Sequence, residues 1–179
     1  MLYAFGFERI GVLVSDLYFV NPRPDEGQEG PERGVRLELR RFERRPLRGS
    51  IYSAQPIDVD QPIWRVDLLE AVASPPGSLD RVHHHPAFDG WEPGDRRFVP
   101  ELSAAPVEWL AERLADLDAV LAQAGVAPDT AGPGDAAALR GAIPEIIEAL
   151  RRLLGRVASG ELGRPDDDRD LVSARIGWL

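Results

Sequence analysis

Val35-Arg36-Leu37-Glu38-Leu39-Arg40 alternates apolar and charged residues without a break. Successive side chains on a strand point to opposite faces. Val35, Leu37 and Leu39 therefore share one face, and Arg36, Glu38 and Arg40 the other. The stretch reads as a half-buried strand with one wet face, the pattern of an antiparallel sheet.

Working outward, Phe5 to Val20 is rich in β-branched and aromatic residues and reads as one strand, buried on both sides around Val12 to Val14. Asn21 to Gly34 holds three Pro, three Gly and four acidic residues and reads as a mobile loop. Downstream, Ser50 to Val59 and Pro62 to Val72 are two further strand candidates. Pro56 and Pro62 push the segment between them towards an edge or a turn. Ser74-Pro75-Pro76-Gly77 is a turn, Leu79 to His85 a short strand stopped by Pro86, and Arg97-Phe98-Val99 a last short strand.

The period then changes. Val107, Leu110, Leu114, Leu117 and Leu121 recur in steps of three and four, which predicts one helix over 106–124. Pro106 suits its first turn, Ser103 is the candidate cap, and Gly125 and Pro128 end it. A second stripe runs through Leu139, Ile143, Ile146, Leu150, Leu153 and Val157. Asp135 is positioned to cap it, and Pro144 predicts a break or kink, with the main helix starting near Ile143. Strands first and helices after, without βαβ alternation, predict an α+β fold. The expected architecture is a mainly antiparallel sheet or partial barrel packed with a C-terminal helical pair.

A chain of 179 residues suits one domain. We divide it into a β-rich part (1–102), a helical part (103–163), and a charged linker with an apolar tail (164–179). The tail ends in Ile176, Trp178 and Leu179, which could dock on the core or cross to a second subunit, and a homodimer is the expected assembly. The run Asp166-Asp167-Asp168 lacks Ca²⁺-loop spacing and reads as solvated linker.

Composition excludes several chemistries. There is no Cys, so thiolate nucleophiles, disulfides and cysteine-ligated zinc are ruled out. All 21 basic residues are Arg, which removes Schiff-base and Walker-lysine mechanisms. A net charge of -9 opposes phosphate backbones, so no nucleic-acid partner is expected; the basic stretch Arg40 to Arg48 reads as a solvated strand end. The apolar run Ile10 to Val20 contains Asp16 and is too short to span a bilayer. It does not read as a signal peptide, and the expectation is a cytoplasmic protein without a membrane partner.

One constellation could carry chemistry. The three histidines are consecutive: His83, His84 and His85. On a strand, His83 and His85 point the same way and His84 the opposite way. With Asp89 or Glu92 returning from the following loop, the outer pair could form a two-His-one-carboxylate site for a divalent metal ion, with Asp67 or Asp80 orienting a ring N–H. The alternative is a hydrogen-bonded strand end before Pro86. A neutral ligand pocket is a third reading, built from Arg65, Asp67, Arg81 and Trp91 around the histidines, with imidazole as general base.

The spacing of Gly77, His83, His85 and Asp89 resembles part of the first motif of the cupin family, in which a Gly is followed by His-x-His and then Glu. Asp89 stands where Glu belongs, the downstream Gly is displaced, and the chain has no further His for a second motif. The resemblance implies a metal site at His83, His85 and Asp89. Two functions follow from the sequence: a non-catalytic binding or interaction protein, or a small enzyme using a metal ion or His acid–base chemistry at these histidines.

Overall fold

The computed structural model describes residues 1–24 and 26–165. The Asp166-Asp167-Asp168 run and the tail from Leu171 to Leu179 lie outside the described residues. The fold is α+β. Five antiparallel strands lie in chain order across one sheet: β1 (Leu2–Gly6), β2 (Ile10–Val20), β3 (Pro31–Arg44), β4 (Ile57–Ala71) and β5 (His83–His85). The sheet is open, with β1 and β5 at its edges, and does not close into a barrel. A small hairpin follows, made of β6 (Phe88–Asp89) and β7 (Glu92–Pro93). The helices come last: α1 (Pro100–Ala104), α2 (Pro106–Ala115), α3 (Leu117–Gln123) and α4 (Asp135–Ala158).

The register separates two faces. Val35 pairs with Leu68, Leu37 with Val66 and Leu39 with Trp64, while Val12 and Val14 align beside them on β2. This apolar face is buried under Leu110, Leu114, Leu121, Leu139, Ile146, Leu150 and Leu153 of the helices. Each such side chain removed from water contributes roughly 1.5–3 kcal/mol. On the opposite face Arg36 pairs with Asp67 and Glu38 with Arg65, so the charged half of the alternation continues onto β4.

Several segments depart from the periodicity. Phe5 to Val20 is a hairpin, not one strand. It turns at Phe7 to Arg9, where the buried Asp135 carboxylate accepts from the amides of Glu8 (2.6 Å) and Arg9 (3.1 Å). Asp135 is thus a clamp between sheet and helix, and Gly134 takes the cap position of α4. The end of the loop read over 21–34 belongs to β3, with Pro31 opposite Val20.

The two strand candidates around Pro62 are one strand, β4. The ladder slips where Arg40 pairs with Pro62, a bulge that tolerates the missing N–H, and β5 covers only Arg65 to Asp67 on the other side. Beyond the end of β2, β3 and β4 continue as a two-stranded arm, Phe42–Arg44 against Ile57–Val59. The ring of Phe42 lies across Gly11, where an added Cβ would stand 2.5 Å from it.

The expected helix over 106–124 is two helices. Asp116 interrupts it and caps α3, its carboxylate accepting from the Ala119 amide at 3.1 Å. Ser103 lies inside α1 and makes no cap; Ala105 precedes Pro106 there. Pro144 does not break α4, which runs continuously from Asp135 to Ala158. Pro144 and Arg140 are both on the exposed face, so the carbonyl that loses its amide partner is on the water side of the helix. Arg97 makes one bridge to His84 in place of a strand. No described helix is long and apolar enough to cross a membrane.

Candidate metal centre

The histidines form a three-residue strand paired to β4, with His83 opposite Asp67, His84 opposite Val66 and His85 opposite Arg65. The β4–β5 connection fixes where they start. Asp80 accepts from the Ala71 amide (3.0 Å) and the Ser74 hydroxyl (2.9 Å), and Glu70 accepts from the Gly77 amide at 2.6 Å. Leu79 turns with φ 48°, which confines the strand to His83–His85 instead of the longer segment read from sequence.

His84 faces the helices. Its ring lies 5.2 Å from that of Trp109 and 6.3 Å from Trp64, and the two indoles stack at 6.0 Å. Burial, with the Arg113 charge, lowers its pKa to about 4, so this is a neutral core histidine.

His83 and His85 face the other way, with ring centroids 5.1 Å apart. Between them is the carboxylate of Asp67. Its Oδ2 is 3.4 Å from His83 Nε2 and 3.7 Å from His85 Nε2, and all three residues are buried. A tetrahedron of zinc–nitrogen bonds has edges of about 3.3 Å, so these separations suit a common ion with small adjustments.

The outer ring nitrogens decide what the inner ones can do. His83 Nδ1 donates to the Arg81 carbonyl (2.8 Å) and His85 Nδ1 to the Gly94 carbonyl (2.6 Å). A carbonyl only accepts, so the proton of each neutral ring is on Nδ1 and the Nε2 lone pair faces Asp67. Burial and the Arg65 charge lower the His85 pKa to about 4, which keeps that ring neutral at pH 7. His85 Nε2 is a buried acceptor without a hydrogen-bond partner among the described residues.

Asp67 is anchored by Arg36, whose Nε donates to Oδ1 at 2.7 Å and Nη2 to Oδ2 at 3.2 Å. Burial alone would raise the Asp67 pKa. The Arg36 charge, with that of Arg65, outweighs it and holds the carboxyl well below its ordinary range. Arg65 Nε lies 3.1 Å from Oδ2 yet makes no hydrogen bond of acceptable geometry among the described residues.

No protein-family model, curated protein or solved structure matches this chain. The site is therefore read from its own geometry. The carboxylate beside the histidines is Asp67, and not the Asp89 that the cupin-like spacing supplies. Asp89 is exposed on the β6–β7 hairpin, where it pairs with Glu92. Gly77, the other element of that resemblance, is a turn residue with φ 81°.

Of the residues expected around a ligand, Arg65 and Asp67 are in the cluster. Arg81 supplies the carbonyl that orients His83, while its guanidinium reaches the Gly27 carbonyl at 2.5 Å. Trp91 is exposed, over Arg40 at 5.2 Å. Sequence reasoning missed Glu32, which is fully buried on the same sheet face with no hydrogen-bond partner for either oxygen among the described residues. Arg96 Nη1 is its nearest cation, at 4.0 Å. Burial raises its pKa against the pull of Arg96. Extending the alternation backwards, through Gly34 to Glu32, would have placed it.

The cover over the triad is aromatic and thin. Phe98 lies 5.7 Å from His83 and Phe88 6.5 Å from His85, ring to ring. Phe88 also lines a neighbouring cavity of about 310 Å³, bounded further by Arg41, Ile63, Gly90 and the 124–127 turn.

Proposed function

We propose that this chain is a metal-dependent enzyme acting on a small molecule, with the ion held by Asp67 Oδ2, His83 Nε2 and His85 Nε2. One observation carries the reading. Both Nδ1 atoms are committed to carbonyls, so three lone-pair acceptors converge with no proton between them in the neutral state. Such an arrangement is repulsive when empty and favourable around a cation. The donor set suits zinc, iron(II) or manganese, and three protein ligands leave positions open for water or substrate.

Metal analysis after expression with iron, zinc and manganese tests this reading. About one ion per chain is expected, lost in His83→Ala and His85→Ala and retained in His84→Phe, whose side chain faces the helices. Metal-free protein that also fails to bind cobalt(II) in titration would sink the proposal.

A second reading, the interaction protein, has its own support. The arm between β3 and β4 exposes Leu47, Ile51, Tyr52, Ile57 and Val59 together, beside Arg44 and Arg48. Its occupant on this reading is a second copy of the chain, whose net charge of -9 complements a basic apolar arm. Sedimentation would show a dimer that Ile51→Ser with Tyr52→Ser converts to monomer; a monomer at every concentration removes this reading.

A further inference from the structure

Resting on the metal reading, we infer that the centre takes a small organic carboxylate as its substrate or co-ligand, with Arg65 as the residue that selects the negative charge. The argument is one of charge. With neutral rings, the only anion touching the ion is Asp67, and two guanidinium groups, Arg36 and Arg65, already lie against that carboxylate. A divalent ion there leaves three positive charges uncompensated in a buried setting, where such an excess is costly.

Other carboxylates on this face supply only part of the balance: Glu38 stands opposite Arg65 across the ladder. Glu38 is drawn to Arg40 (3.4 Å), and Glu32 has Arg96 as its nearest cation at 4.0 Å. The remaining positive charge favours an anion from outside.

Geometry singles out Arg65. Arg36 keeps two hydrogen bonds to Asp67, so it stays in place. Among the described residues the buried Arg65 Nε–H has no acceptor, and an ion on Oδ2 competes for the carboxylate oxygen it lies against. Its guanidinium lies 5.7 Å over the Phe88 ring, and Phe88 forms a wall of the 310 Å³ cavity. A carboxylate would place one oxygen on the ion and the other on Arg65. Guanidinium and carboxylate match in shape as well as charge, which favours a carboxylate over a spherical anion.

The test uses the cobalt(II)-loaded protein, whose visible absorption bands report changes at the ion, with acetate against its neutral isostere acetamide. Acetate is expected to shift the bands at concentrations at least tenfold below acetamide. In Arg65→Gln the acetate response weakens at least tenfold and the acetamide response is unchanged, while cobalt binds as tightly or more tightly because a competing cation is gone. A purely structural Arg65 would weaken cobalt and acetate together, and that result overturns the inference. Equal responses to acetate and acetamide overturn it as well. Absence of cobalt bands in the unsubstituted protein instead removes the metal reading on which it rests.

Discussion

Arg36 and Asp67 face one another across the β3–β4 ladder, joined by two N–H···O bonds of 2.7 and 3.2 Å, with the carboxylate fully buried. Removing one member of such a pair leaves the other charge without a partner away from water. Asp67→Asn is expected to cost about 3–5 kcal/mol in urea unfolding. A loss below 1 kcal/mol would mean that Arg36 finds other acceptors and that the pair does not hold the site.

Stability should also depend on pH in a defined direction. His84 and His85 have folded-state pKa values of about 4, below the ordinary 6.5. Below pH 6.5 the unfolded chain binds protons that the fold does not, so stability declines from pH 6.5 down to pH 4 and the histidine contribution levels off beneath that. Each ring accounts for on the order of 3 kcal/mol. Asp67, with its lowered pKa, adds a loss only below about pH 3.8. Urea midpoints at pH 7.5, 5.5 and 4.5 should fall in that order, less steeply in His84→Phe. Equal midpoints at pH 7.5 and 5.5 contradict the buried neutral rings.

A bound ion should stabilise the fold. At a free concentration one hundred times its Kd, cobalt or zinc is expected to add about 2.7 kcal/mol. The gain should vanish in His85→Ala and persist in His84→Phe. Calorimetric scans with and without metal read it directly, and an equal gain in His85→Ala would place the ion elsewhere.

The contact between Gly11 and Phe42 sets a steric limit. A Cβ at position 11 would stand 2.5 Å from the ring, so Gly11→Ala should destabilise by roughly 1–3 kcal/mol. Combined with Phe42→Leu, the effects should be less than additive. Additive losses would show that the ring moves aside without strain.

The sequence made the two-faced sheet and the helical stripes legible because local period carries that information. Val35 to Arg40 kept its alternation, and Leu110, Leu114, Leu139 and Leu150 are buried where steps of three and four place them. Boundaries that depend on contacts distant in sequence were not legible. The turn at Glu8 is held by Asp135, and Pro62 is carried by a bulge whose partner, Arg40, lies on another strand. The same division runs through the site. Opposite directions for His84 and its neighbours follow from pleating alone, but the choice of Asp67 over Asp89 needs the β4–β5 register, which no local pattern encodes.

The order of the strands also bears on synthesis. Each strand pairs with its predecessor in the chain, so the sheet, and with it Asp67, His83 and His85, can assemble hairpin by hairpin as the nascent polypeptide leaves the ribosome. The side that α4 later covers stays bare until Ala158 has emerged. At roughly 5–20 residues per second this interval lasts on the order of 4–15 s. During it the growing chain presents Val12, Leu37 and Val66 to the surrounding milieu, which makes it a ready client for chaperones that act during translation.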